Sequence, residues 1–218
     1  MAYFRRRIVS WNIGITSKII LVNVVLFFIF WILTIINPNF IDYIALKPSN
    51  IFSGKNLWTI LSSMFMHGSF SHLLVNMISL FFIGNFVERI IGAKRFAVFY
   101  LAGGIIAGIS FVLLSLIFKS EFDTYAVGAS GAIFSLAGLL MILLPRLPVL
   151  VFFVIPMPLW LGVLFLLFGL WAISVVAGLP IGNTAHLGGF VIGVIYGFYL
   201  KMKYPRKVEM LRMYFTRR

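Results

Sequence analysis

Residues 128–146 read GASGAIFSLAGLLMILLPR. A serine between glycines opens an apolar run, 130–144, that carries no charge and stops at Pro145-Arg146. The run suits a helix that crosses a membrane, with a hydroxyl at one end and a cation at the other. The rest of the chain agrees. Of 218 residues, 62% are hydrophobic and 11% charged, whereas soluble domains carry about 25% charged residues and about half apolar ones. That balance excludes a water-soluble globule and a disordered chain and leaves a polytopic membrane protein. The absence of cysteine excludes disulfides, thiolate metal sites and cysteine nucleophiles.

Working outward from 130–144, six spans are predicted, near 17–36, 69–88, 96–118, 130–144, 148–176 and 184–200. The fifth contains Pro156 and Pro158, which predict either a bend that lends mobility or a plain kink. The first is too long for a signal-peptide core and is expected to be retained. The expected organisation is a short basic N-terminus, 1–16, an all-α six-helix membrane domain, 17–200, and a basic tail, 201–218. Residues 37–68 are too apolar for a free loop and are expected in the interface.

The net charge of +13 invites a nucleic-acid reading. The distribution of the basic residues answers it. With the N-terminus inside, Arg5, Arg6, Arg7, Lys18, Arg89, Lys94, Arg95, Arg146, Lys201, Lys203, Arg206, Lys207, Arg212, Arg217 and Arg218 fall inside. Only Lys47, Lys55 and Lys119 fall outside. Such an asymmetry marks a positive-inside topology with both termini cytoplasmic. The charges are spread over every inner segment, not gathered on one module with aromatics, so contact with anionic lipid replaces nucleic acid as the expected partner. A prokaryotic plasma (inner) membrane is the expected location.

Polar groups inside a span are costly and are functional candidates. Asp42, Glu121 and Asp123 lie in outer segments, Glu88 at the inner end of span two, and Glu209 in the tail. With no acid in mid-membrane, paired-carboxylate proteolysis and proton coupling through a buried acid are both disfavoured. No H-E-x-x-H motif occurs, and no metal or cofactor is expected.

The remaining candidates converge on one level. His72 and Asn76 are four residues apart and share a helix face. Ser130 opens span four and His186 opens span six. Spans two, four and six all run from outside to inside. At 1.5 Å per residue, Ser130 stands about 24 Å above Arg146, His186 about 22 Å above Lys201, and His72 about 25 Å above Arg89. In a core about 30 Å thick, all three lie somewhat below the outer surface. Gly189, Gly193 and Gly197 share the His186 face and predict close approach to span four, which offers Gly131, Ser135 and Gly138.

A serine beside a histidine base is the arrangement of acyl transfer. Without an acid to orient His186, it would be a dyad. Backbone N–H groups at the helix start under Ser130, with His72 and the Asn76 amide, are candidate oxyanion donors. Gly128 and Gly131 flank Ser130 and permit an unusual backbone path. Gly-x-Ser-Gly by itself is a weak motif that many small-residue turns match, and His186 alone also reads as a hydrogen-bonded interfacial histidine.

Taken in order, the stretch from Trp58 to His67, His72-Leu73-Leu74-Val75-Asn76, Glu88 with Gly92, Gly128-Ala129-Ser130-Gly131, and Ala185-His186 with Gly189, Gly193 and Gly197 resemble the rhomboid intramembrane serine proteases. The resemblance spans about residues 17–200 and corresponds to the minimal six-span form. It implies that Ser130 is the nucleophile and His186 the general base. It also implies an oxyanion hole of His72, Asn76 and the Ser130 N–H, with His67 as an accessory polar residue. Two positions depart from the family pattern. Thr59 follows Trp58 where the family often has arginine, and Phe134 stands where it often has a tyrosine stacked on the histidine. The implied substrates are single-span membrane proteins, cut near the outer face where Gly or Pro unwinds the helix. Entry would lie beside span five, with the loop 177–183 as a cap. The rival readings are a non-catalytic relative that binds membrane proteins, and a channel or transporter that uses His67, His72 and His186 as a relay or metal site.

Overall fold

A computed structural model describes residues 14–151, 154–178 and 181–216. Arg5, Arg6, Arg7, Arg217 and Arg218 of the topology argument lie outside the described residues, as does part of the loop 177–183. The chain is mostly helical. Its principal helices are α1 (Ile15–Ile36), α2 (Phe70–Ile91), α3 (Ala93–Leu114), α4 (Ser130–Leu143), α5 (Leu159–Ala177), α6 (Asn183–Lys203) and α7 (Pro205–Thr216). Among the described residues five helices, α1, α2, α3, α5 and α6, are long and apolar enough to cross a membrane. Their outward faces carry exposed Leu21, Ile32, Val98, Phe168 and Ile195, as lipid contact requires. The protein is integral to a membrane.

Among the predicted spans, helix α4 is the exception in length. Its 14 residues reach only about 21 Å. It is also the most enclosed element: Gly131 through Leu140 are buried without a break. The other helices surround it, and Leu136, Leu139 and Leu143 pack with Leu73, Leu80, Phe96 and Tyr100 into the main core.

Several helix ends are finished by distant parts of the chain. α1 starts after Gly14, which offers no capping side chain. The Glu88 carboxylate near the end of α2 supplies the cap instead. It accepts from the Ile15 N–H at 2.9 Å, from the Thr16 N–H at 2.9 Å and from the Thr16 hydroxyl at 2.7 Å. A single glycine, Gly92, then turns the chain from α2 into α3 with φ +87°, a backbone state that side chains disfavour.

The fifth span differs from its predicted form. Residues 148–176 are not one bent helix. Pro148–Val151 and Ile155–Pro158 form an antiparallel hairpin with Val149 opposite Met157, and α5 begins only at Leu159. Proline has no N–H for a helix interior, so Pro156 falls in an edge strand and Pro158 directly precedes the helix. The hairpin packs under α5, with Val149 and Val151 against Gly162. Within the stretch 201–218, expected as a basic tail, the described residues are mostly helical. α6 runs on to Lys203, and α7 folds back with Val208 buried and Phe215 edge-on to Phe86 at 5.2 Å.

Candidate active site

The segment leading into Ser130 is braced against the loop 37–68, which folds into short helical turns. Leu46 and Ala126 exchange two main-chain hydrogen bonds, the Ser49 N–H donates to the Phe122 oxygen, and the Gly128 N–H donates to the Ser63 oxygen at 2.9 Å. Side chains reinforce this. The Tyr125 hydroxyl donates to Asp42 Oδ1 at 2.7 Å, and the Asn50 amide donates to the same oxygen at 3.1 Å. Tyr125, with Asn50 and Lys47, holds the Asp42 carboxyl below its ordinary range. The Trp58 indole N–H donates to the Tyr43 oxygen.

Gly128 then makes the turn before Ser130 with φ +113°. A Cβ there would stand 2.8 Å from His72 Cε1 and 2.9 Å from Nε2. The His72 ring therefore lies directly against the glycine. Ala129 and Ser130 follow as the start of α4, whose N-cap provides no side-chain hydrogen bond. The first-turn N–H groups of a helix have no intrahelical partner, so donors remain available beside the Ser130 hydroxyl.

His186 reaches Ser130 from the first turn of α6. Ser130 Oγ and His186 Nε2 are 2.8 Å apart. His186 is buried, and the Phe134 ring, one turn below Ser130, stacks on it at 4.7 Å and 30°. The two helices can be this close because glycine lines their contact. A Cβ on Gly189 would overlap the Gly131 carbonyl, and one on Gly193 would stand 2.9 Å from the Leu139 nitrogen. Gly197 faces Ile142.

The other candidates gather around this pair. His67 is buried, its Nε2 accepts from the Ala129 N–H at 3.5 Å, and its ring meets His72 edge-on at 5.3 Å. Burial pushes the His67 imidazole well down, in keeping with a neutral acceptor. Asn76 is buried one turn below His72. Its amide donates to the His72 main-chain oxygen at 2.8 Å, which occupies one of its two N–H groups. His186 Nδ1 has no hydrogen-bond partner among the described residues, so no carboxylate touches the imidazole.

One acid nevertheless comes close in the chain. Glu121 accepts from the hydroxyl of Thr184, two residues before His186. Neither this contact nor the Asp42–Tyr125 pair was anticipated. Their partners are 63 and 83 residues apart and share no motif.

Fold and site together define a class: a polytopic helical membrane protein with a serine and a histidine in hydrogen-bond contact where two glycine-lined helices meet. The comparisons with known proteins give that class a family. Residues 54–203 match the rhomboid domain, and the chain belongs to the rhomboid family. It is 33% identical over 155 residues to RHOMBOID-like protein 5 of Arabidopsis thaliana, which covers 67% of this chain and 45% of that protein. It is 38% identical over 148 residues to RHOMBOID-like protein 2 of the same plant, covering 67% and 43%. It is 32% identical over 162 residues to Rhomboid protein 1, mitochondrial, of Saccharomyces cerevisiae, covering 73% and 43%. The chain thus spans less than half the length of these relatives.

Proposed function

We propose that the chain is an intramembrane serine endopeptidase that works through a Ser130–His186 dyad. The observation that carries this is the 2.8 Å contact between Ser130 Oγ and His186 Nε2, part-buried, with the His186 ring stacked on Phe134. In the reaction, Ser130 Oγ attacks the scissile carbonyl as His186 takes its proton. His186 then returns that proton to the leaving amine, and an acyl-enzyme remains on Ser130. Water, activated by the same imidazole, attacks the ester and releases the second product. The tetrahedral oxyanion is held by the Ser130 N–H, His72 and the free Asn76 N–H. Among the described residues no acid hydrogen-bonds His186, so a dyad describes the chemistry better than a triad.

Transmembrane proteins within the bilayer are the substrates that family membership implies. The finer reading is a single-span protein cut close to the outer face. The shortness of α4 supports it: about 21 Å of helix in a core of about 30 Å leaves Ser130 below the outer surface when the other end meets the inner one. A helical substrate must unwind there, so Gly or Pro near the cut favours it. The proposal takes six spans, counting the short α4, with both termini cytoplasmic, in a prokaryotic plasma membrane. The asymmetry of basic residues supports the orientation.

Purified full-length protein in detergent is expected to cleave a single-span substrate with a helix-breaking residue, and to react covalently with a fluorophosphonate at Ser130. Ser130→Ala and His186→Ala are expected to lose both activities. Full cleavage by Ser130→Ala would overturn the mechanism.

A further inference from the structure

Glu121 and Thr184 connect two segments that flank the dyad without belonging to it. Glu121 ends the helical turn Lys119–Glu121 between α3 and α4, and Thr184 is the second residue of α6. The fully buried Thr184 hydroxyl donates to Glu121 Oε2 at 2.5 Å.

This contact finishes a helix. α6 starts after Gly182, and its N-cap offers no side-chain hydrogen bond. First-turn N–H groups need outside partners, and an Asp, Asn, Ser or Thr at the N-cap commonly supplies one. Here a carboxylate 63 residues earlier in the chain holds the first turn instead, through the Thr184 hydroxyl. Burial raises the Glu121 pKa, and the bonds from Thr184 pull it the other way. A half-buried acid in that setting depends on its partner.

The helical turn so capped is the one that carries His186. With Nδ1 unpartnered among the described residues, the imidazole is aimed only by Ser130, by the Phe134 stack and by where the turn itself lies. Deeper in the membrane, the turn is pinned by Gly189 against Gly131. At its free end, it is pinned by Glu121. The negative carboxylate also offsets the positive end of the α6 dipole, which opposes the imidazolium that forms as His186 takes the serine proton.

We propose that Glu121 is a positioning residue for His186: by capping α6 through Thr184, it fixes the turn that bears the base and keeps Nε2 on Ser130 Oγ. The proposal rests on the dyad reading, and one experiment separates the two. Full-length protein in detergent is titrated with a fluorophosphonate, and both the labelling rate and the final stoichiometry are measured. A small misplacement of a catalytic group costs on the order of ten- to a hundredfold in rate. Glu121→Ala is expected to slow labelling by about that factor at unchanged final stoichiometry, and to lower kcat for substrate cleavage without raising KM. Glu121→Gln keeps an acceptor for Thr184 and is expected to restore most of the rate. Asp123→Ala, an exposed acid two residues away, is expected to match the wild type. The proposal is overturned if Glu121→Ala labels at the wild-type rate. It is equally overturned if only the final stoichiometry falls, the mark of a purely structural role, or if Glu121→Gln is as slow as Glu121→Ala. A wild-type protein not labelled at Ser130 sinks the dyad itself, and the proposal with it.

Discussion

Gly189 of α6 meets Gly131 of α4 backbone against backbone: the position a Gly189 Cβ would take is already filled by the Gly131 carbonyl, with the Gly131 Cα at 3.4 Å. Gly131 directly follows Ser130, and Gly189 lies one turn below His186. The contact between these glycines therefore sets the separation of the two helices at the level of the serine and the histidine.

Gly189→Ala is accordingly expected to push α6 away from α4 and lengthen the 2.8 Å contact between Ser130 and His186. Main-chain atoms cannot yield as a flexible side chain can, and overpacking of this kind costs about 1–3 kcal/mol. Thermal unfolding should show that loss, and fluorophosphonate labelling should slow with it. Gly169 of α5 provides the contrast, because a Cβ there meets nothing within 4 Å. Gly169→Ala is expected to leave labelling unchanged and to raise stability by up to about 1 kcal/mol through helix propensity. Equal effects of the two substitutions would show that close approach is not what the α6 glycines provide.

The parts of this molecule that were legible in the sequence are those governed by local periodicity. Long apolar runs become helices because a membrane leaves the backbone no other partner, so α1, α2, α3 and α6 lie within a few residues of their predicted spans. Four-residue spacing put Gly189, Gly193 and Gly197 on one face, the face that meets α4. What could not be read was whatever joins residues far apart in the chain. The Glu88 cap on α1, the Glu121–Thr184 contact and the Asp42–Tyr125 pair each depend on where loops land. The hairpin before α5 was missed for another reason. Val149-Leu150-Val151 and Ile155 are as apolar as a span, and hydropathy alone does not distinguish a short apolar strand from a helix. Pro156 and Pro158 carried the missing signal.

Asp42 makes the brace beside Ser130 sensitive to acid. Its pKa is lowered on folding, chiefly by the Tyr125 hydroxyl. The unfolded chain therefore binds more protons than the folded one in the window between the two values. Stability from this group is complete above the ordinary carboxylate range, about pH 4, and is lost as pH falls through the lower folded value. Unfolding midpoints measured between pH 6 and 3 are expected to drop at the acid end for the wild type. Tyr125→Phe removes the main cause of the shift and is expected to flatten that drop while lowering stability at pH 6. An unchanged acid limb in Tyr125→Phe would assign it to another group.

Arg212 closes the opposite end of the central helix. Its Nε donates to the Leu143 oxygen at 2.9 Å and its Nη2 to the Ile142 oxygen at 2.7 Å. The last carbonyls of a helix lack intrahelical partners, and α4 ends among packed side chains, with Leu143 and Leu144 both buried. A cation there also suits the negative end of the helix dipole. Losing charged hydrogen bonds of this kind costs about 1.5–3 kcal/mol each in buried settings, so Arg212→Ala is expected to lower stability by a few kcal/mol at most, less in proportion to its partial exposure. Arg212→Lys keeps the charge but not the two-nitrogen fork and should recover only part of the loss. The contact between Ser130 and His186 lies at the other end of α4, about 20 Å away. The folded fraction of Arg212→Ala should therefore react with a fluorophosphonate at the wild-type rate. If the rate fell while the unfolding midpoint stayed constant, Arg212 would be coupled to the site and would not simply be finishing the helix.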